Sequence, residues 1–280
     1  MIVQDQGTEL LVVRQTDHAL LAGFFARQWG NDLFTRPEPF EPFCLAAAEH
    51  DNGWREWELV PGIDPATFLP YTFMSIPTEE HMALYERGLG RLIAADTYAG
   101  LLACTHIEQL YDHTRATIPG YSAKYVKSSE MKPVQSFIEQ LRLQKLRLKA
   151  DLRAQPDKKP FIDDKLVESN AKRLEAVDRL SLYFCMDPKD VAIVDGVPVD
   201  DHGSEADLVV NPLADSIFSL SPFPFRRDPL EFGILSRSIP KRRYPDDSEL
   251  QRALISAPYS LIKFSLRSAE AQANSFSAWA

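Results

Sequence analysis

The chain is poor in cysteine. Cys44, Cys104 and Cys185 are the three it has; they are odd in number and form no Cys-x-x-Cys pair, which excludes a disulfide framework and a thiolate zinc site. Each stands in an apolar, helix-like stretch and is expected to be a reduced core residue. Long apolar runs are missing too, so no segment is expected to span a bilayer. The first residues, Met1-Ile2-Val3-Gln4-Asp5, lack the basic start and apolar stretch of a secretory signal. A cytoplasmic protein with no membrane partner is expected. Positive charge is also short: 31 Lys and Arg face 40 Asp and Glu, a net charge of −9. Such a balance argues against general affinity for nucleic acid.

What is present reads as a mainly α protein. A hairpin over residues 1–15 turns at Asp5-Gln6-Gly7-Thr8. Thr16 is the expected N-cap of a helix to Trp29, with His18, Leu21, Ala22, Phe25 and Trp29 on one face. A second helix carries Cys44, Ala47 and Ala48 up to His50-Asp51, where Asn52-Gly53 supplies a stop. Residues 54–77 read as a loop rich in aromatics and prolines. Helices over 78–89 and 91–112 follow, the latter with Ala95, Ala99, Leu102, His106 and Leu110 on one stripe. Residues 114–133, with Pro119-Gly120 and Tyr121, read as an insertion or lid. Further helices are predicted over 133–154 and 164–185. The last has an inward set of Val167, Ala171, Leu174, Asp178, Leu182 and Cys185. Beyond residue 190 prolines and short β-type runs take over, at 207–210, 217–220, 232–239 and 261–266. The expected architecture is a helical bundle with its N-terminal hairpin over 1–190. A strand-rich extension over 191–280 forms a small antiparallel sheet, joined by the N-terminal strand.

Polar residues on these apolar faces carry the chemistry. A buried imidazole or carboxylate left without a partner costs several kcal/mol. His18, His50, Asp51, His81, His106 and Asp178 all fall on or beside apolar stripes, and together they read as a metal site inside the bundle. Imidazole and carboxylate suit one or two divalent ions, Fe, Mn, Zn or Ni. Neighbouring residues on a helix point about 100° apart, so adjacent His50 and Asp51 converge on one ion most easily at a helix end. Plainer readings stand beside this one. His50-Asp51 could simply cap a helix, His81 could lie exposed in a first turn, and Asp178 could pair with Arg173 or Arg179. His113 and His202 read as surface residues. Trp54, Trp57, Tyr71 and Phe73 either roof a pocket or close a core. Lys124 and Lys127 meet a phosphate or form a solvated run. Arg142, Lys145, Arg147, Lys149 and Arg153 read as the wet face of a helix. Arg226-Arg227 and Lys241-Arg242-Arg243 could serve an interface.

The order His18, His50-Asp51, Asp178 resembles the HD-domain superfamily of metal-dependent phosphohydrolases. His81 and His106 resemble the extra ligands of its binuclear members, which include cyclic-di-nucleotide phosphodiesterases and the di-iron oxygenases related to myo-inositol oxygenase. The words His50-Asp51-Asn52-Gly53-Trp54 and Leu101-Leu102-Ala103-Cys104-Thr105-His106 are similar to an uncharacterised bacterial family of HD-like proteins. One departure is that Trp54 and Arg55 follow the His-Asp pair, where those phosphodiesterases carry a glycine-rich motif and a lysine. The resemblance implies a hydrolase acting on a small phosphate ester or nucleotide, with Asp51 and Asp178 as catalytic ligands and one of them bridging two ions. No general acid stands out beyond the lid lysines or a water. A di-iron oxygenase of a small polar substrate, and a non-catalytic metal- or ligand-binding protein, are the alternatives. A homodimer is left open.

Overall fold

Aliphatic and β-branched residues on either side of Gly7, which takes φ 85°, make the N-terminal hairpin. The computed structural model, which describes residues 1–111 and 131–269, pairs β1 (Ile2–Asp5) with β2 (Glu9–Val13) in antiparallel register. Helices α1 (Gln15–Gln28), α2 (Phe40–Glu49), α3 (Thr78–Ala95), α4 (Thr97–Tyr111), α5 (Met131–Arg153) and α6 (Asp164–Cys185) form the bundle. Between α2 and α3, two 3-10 turns (Asn52–Trp54 and Trp57–Leu59) precede the short ribbon β3 (Ile63–Asp64) with β4 (Leu69–Pro70). No helix among the described residues is long and apolar enough to cross a membrane. The expected lid, with Pro119, Tyr121, Lys124 and Lys127, lies outside the described residues, as does His113.

The break expected at Gly90 falls instead at Asp96. One glycine costs a helix only about 1 kcal/mol, and α3 runs through it. Asp96 adopts extended backbone, and its side chain accepts from Ala99 N at 2.8 Å, which starts α4 afresh.

The C-terminal region overturns the expectation of a mainly α bundle with a small β extension. β5 (Ala192–Pro198), β6 (Glu205–Ala214), β7 (Ile217–Ser221), β8 (Leu230–Pro240) and β9 (Tyr259–Ser268) join the hairpin. Together they make one curled seven-stranded mixed sheet, in the order β1-β2-β8-β9-β7-β6-β5. All pairs are antiparallel except β7 with β9. The prolines suggested interruptions that they do not cause. Pro198 and Pro240 end their strands, and Pro212 sits at a register shift, where a missing N–H breaks little of the ladder. Gly196 (φ 63°) lies in a second shift within β5, which hid that strand. Helix α7 (Asp247–Ser256) was missed although Asp246 caps it, accepting from Glu249 N.

One core joins bundle and sheet, running from Ile2 and Val13 through the helices to Leu208, Leu220 and Leu266. At its seam Phe184 of α6 meets Phe25 of α1 and Phe218, Phe232 and Phe264 of the sheet. The sheet thus presses together the two helices that carry His18 and Asp178.

Candidate metal centre

Asn52 and Gly53 do more than end α2. His50, its C-cap, keeps helical backbone, while Asp51 moves to φ −105°, ψ 18°, so the two side chains no longer diverge. Asn52 Nδ2 donates to Glu49 O at 2.7 Å and to Gly88 O at 3.1 Å, tying the turn to α3. A Cβ on Gly53 would lie 1.9 Å from the Leu84 carbonyl oxygen. Only glycine allows that approach.

Five of the six expected residues converge, and all five are buried. His18 Nε2 lies 3.0 Å from Asp51 Oδ2 and 3.6 Å from Asp178 Oδ1. His50 Nε2 lies 3.4 Å from Asp178 Oδ1 and 3.7 Å from Asp51 Oδ2. His106 Nε2 lies 3.5 Å from Asp178 Oδ2. Two triads, His18-His50-Asp51 and His50-His106-Asp178, each have ligand atoms within 4.8 Å of one another and share His50. His81 is in neither. It is buried rather than exposed, and its Nδ1 meets the Tyr111 hydroxyl at 2.5 Å. Its ring packs on Tyr85 and Trp54.

The outer ring nitrogens show which way the imidazoles face. His50 Nδ1 donates to Ala47 O at 2.9 Å, which leaves Nε2 directed inward. The Ser181 hydroxyl donates to Asp178 O at 2.8 Å and accepts from His18 Nδ1 at 2.7 Å. Inside, His50 Nε2, Asp51 Oδ1 and both nitrogens of His106 are buried with no hydrogen-bond partner. An imidazole lone pair facing a carboxylate at 3.0 Å repels it unless a proton or a cation lies between. Three nitrogens and two carboxylates, with no thiolate, fit a divalent Fe, Mn, Zn or Ni ion.

The plainer readings of Asp178 do not hold. Arg173 pairs with Asp201 and donates to Asn170. Arg179 pairs with Asp195 and donates to Ile193 O. The groups that act on Asp178 are histidines. Burial works to raise its pKa, but His50 at 3.4 Å, with His106 and His18, holds it well below the ordinary range. Asp51 is likewise lowered against burial, by His50 and His18. For His50 burial works downward, yet Asp51 and Asp178 lift its pKa to about 9. Burial wins at His106 and depresses it to about 4.

The sequence reading missed the residues around this cluster. Gln15 Nε2 donates to Asp51 Oδ2 at 3.1 Å. Glu58, buried, accepts from Gln15 N, Thr16 N and Thr16 Oγ1, so it caps α1 from 43 positions away, where Thr16 was expected to cap. Tyr85 has its hydroxyl pKa raised by burial and then by Asp51, Tyr111 and Asp178. Ser181, one helical turn beyond Asp178, was the one such residue with a local signal. Of the loop aromatics, Trp54 is fully buried with Ile76 and Leu84, and Trp57 and Phe73 pack beside them. The α5 cations pair outward, Arg142 and Lys145 with Glu108 and Lys149 with Asp164.

Residues 1–241 match the family described as "Protein of unknown function (DUF3891)". No curated protein and no solved structure matches the chain.

Proposed function

We propose that this chain, which belongs to the DUF3891 family, is a metal-dependent hydrolase of the HD-domain type that cleaves a small phosphate ester or nucleotide. One observation carries the reading: three imidazoles and two carboxylates from four helical segments converge, with inner atoms lacking hydrogen-bond partners. His18, His50, His106, Asp51 and Asp178 would hold a divalent ion. Such an ion supplies Lewis acidity toward a phosphoryl group and acidifies water.

The chain's own residues do the rest. The Ala47 carbonyl and Ser181 hydroxyl keep His50 and His18 facing inward. The two carboxylates balance a dication, so the centre is neutral before substrate arrives. Asp51 Oδ1, buried and unpartnered, is available to accept a hydrogen bond from the attacking water and orient it. Water's oxygen bonds to phosphorus, the ester P–O bond breaks, and the water proton leaves with the alcohol. A single ion is favoured over two because His81 belongs to neither triad of converging ligand atoms among the described residues. That observation also leaves the di-iron oxygenase with less support. A cytoplasmic setting and a small phosphorylated substrate belong to the same proposal, and the net charge of −9 argues against nucleic acid or an anionic membrane as the partner.

The test is elemental analysis of protein purified without chelators or an affinity-metal step, followed by a phosphoester and nucleotide panel with added Mn²⁺, Fe²⁺, Ni²⁺ or Zn²⁺. About one divalent ion per chain and turnover that vanishes in His50→Ala are expected. Absence of bound metal would overturn the proposal. So would two irons with an oxygen-dependent optical change.

A further inference from the structure

We propose that Ser181 is a positioning residue, the group that fixes which nitrogen of His18 faces the metal. This rests on reading the His/Asp cluster as a metal centre. A neutral imidazole carries one proton, and ligation through Nε2 requires that proton to sit on Nδ1. Nδ1 therefore needs an acceptor. A serine hydroxyl is an ambiguous neighbour, because it rotates and can donate as readily as accept. If it donated to Nδ1, the His18 proton would move to Nε2 and block the lone pair.

The structure removes that ambiguity. The Ser181 hydroxyl lies 2.8 Å from the carbonyl oxygen of Asp178, three residues earlier on α6. That bond uses the only hydroxyl proton, so toward His18 Nδ1, at 2.7 Å, the oxygen can only accept. Both groups are buried, and no water competes in bulk. Helix α6 thereby does two jobs one turn apart. Asp178 offers its carboxylate to the centre while its backbone carbonyl sets the hydroxyl that aims a ligand of α1.

His50 has the equivalent support from a backbone carbonyl, that of Ala47, which no substitution removes. His106 has none. Among the described residues, Ser181 is thus the side chain through which the orientation of a cluster imidazole can be tested. Outer partners of ligating histidines typically contribute 10–100-fold to metal affinity.

Co²⁺ serves as the probe, with affinity measured by chelator competition and geometry by the visible d–d bands. Ser181→Ala should bind Co²⁺ about 10–100-fold more weakly, with altered bands and a metal-free melting temperature close to wild type. Ser181→Cys, a weaker acceptor of similar size, should lose less. Wild-type affinity and bands in Ser181→Ala would overturn the assignment, as would a lowered melting temperature with unchanged affinity, the mark of packing alone. Should Ser181→Ala fail to fold, Ser181→Cys decides: weakened Co²⁺ binding supports the assignment and unchanged binding overturns it. If wild-type protein binds no Co²⁺, the metal centre itself falls, which is a distinct result.

Discussion

Without a cation, the two carboxylates hold a proton on His50, and this governs how the centre responds to pH. His50 is lifted from 6.5 to about 9. Its contribution to folding is therefore complete below pH 6.5 and lost as pH rises through 9. His106, depressed from 6.5 to about 4, behaves oppositely: its support is present above pH 6.5 and withdraws as pH falls toward 4. The melting temperature of metal-free protein should rise between pH 9 and 6.5 and decline below. Loading a cation at pH 7.5 must displace the His50 proton, so about one proton per ion should be released. Calorimetry in buffers of different ionisation enthalpy checks this, and loading without proton release would contradict it. Asp178→Asn keeps the shape but not the charge, and should abolish metal retention together with any metal-induced rise in melting temperature. An Asp178 role in structure alone predicts retained metal and a lower melting point. The ligands were legible because apolar stripes pointed Asp178 and His106 inward. Gln15, Glu58 and Tyr85 were not, because each takes its meaning from a partner 34 or more positions away.

Elements reach the centre through their close approaches. The 3-10 turn after Asp51 meets α3 at Gly53 and Gly88, where a Cβ on Gly53 would strike the Leu84 carbonyl. Backbone cannot yield as a flexible side chain does. Gly53→Ala should cost about 2–3 kcal/mol or more and weaken metal binding, since Asp51 lies two residues before. Gly90 is the opposite case, an exposed interior position of α3 where an added Cβ would meet nothing within 4 Å. Gly90→Ala should add about 0.5–1 kcal/mol, read as a raised midpoint in urea. A destabilised Gly90→Ala would mean that α3 does not run through this position. Glycine read as punctuation misled at Gly90, where a neighbouring cap at Asp96 decides the boundary instead; at Gly53 the stop stands and proximity to α3 is its further use.

For the molecule as a whole, helices from α1 to α6 were largely legible from their 3.6-residue stripes, and α6 was read to its ends. The sheet was legible only in part. The runs at 207–210, 217–220, 232–239 and 261–266 fall in β6, β7, β8 and β9, and the N-terminal hairpin joins them. Strand β5, the size of the sheet and its mixed topology were not read, because the seven strands draw on both ends of the chain. β9 lies between β8 and β7, beyond the residues matched by the family. Ending the chain at residue 241 should therefore open two inner strand edges and yield aggregated or unfolded protein, seen by sedimentation and circular dichroism. A soluble truncated protein with a wild-type melting temperature would refute this. The pairing of β2 with β8 also sets an order of events during synthesis. At ~5–20 residues per second, β8 leaves the ribosome about 10–45 s after β2. A two-stranded hairpin is only marginally stable alone, so through that interval its open edge is a natural target for chaperones. Every candidate ligand up to Asp178 has by then been made, so the proposed centre can assemble before the sheet is complete.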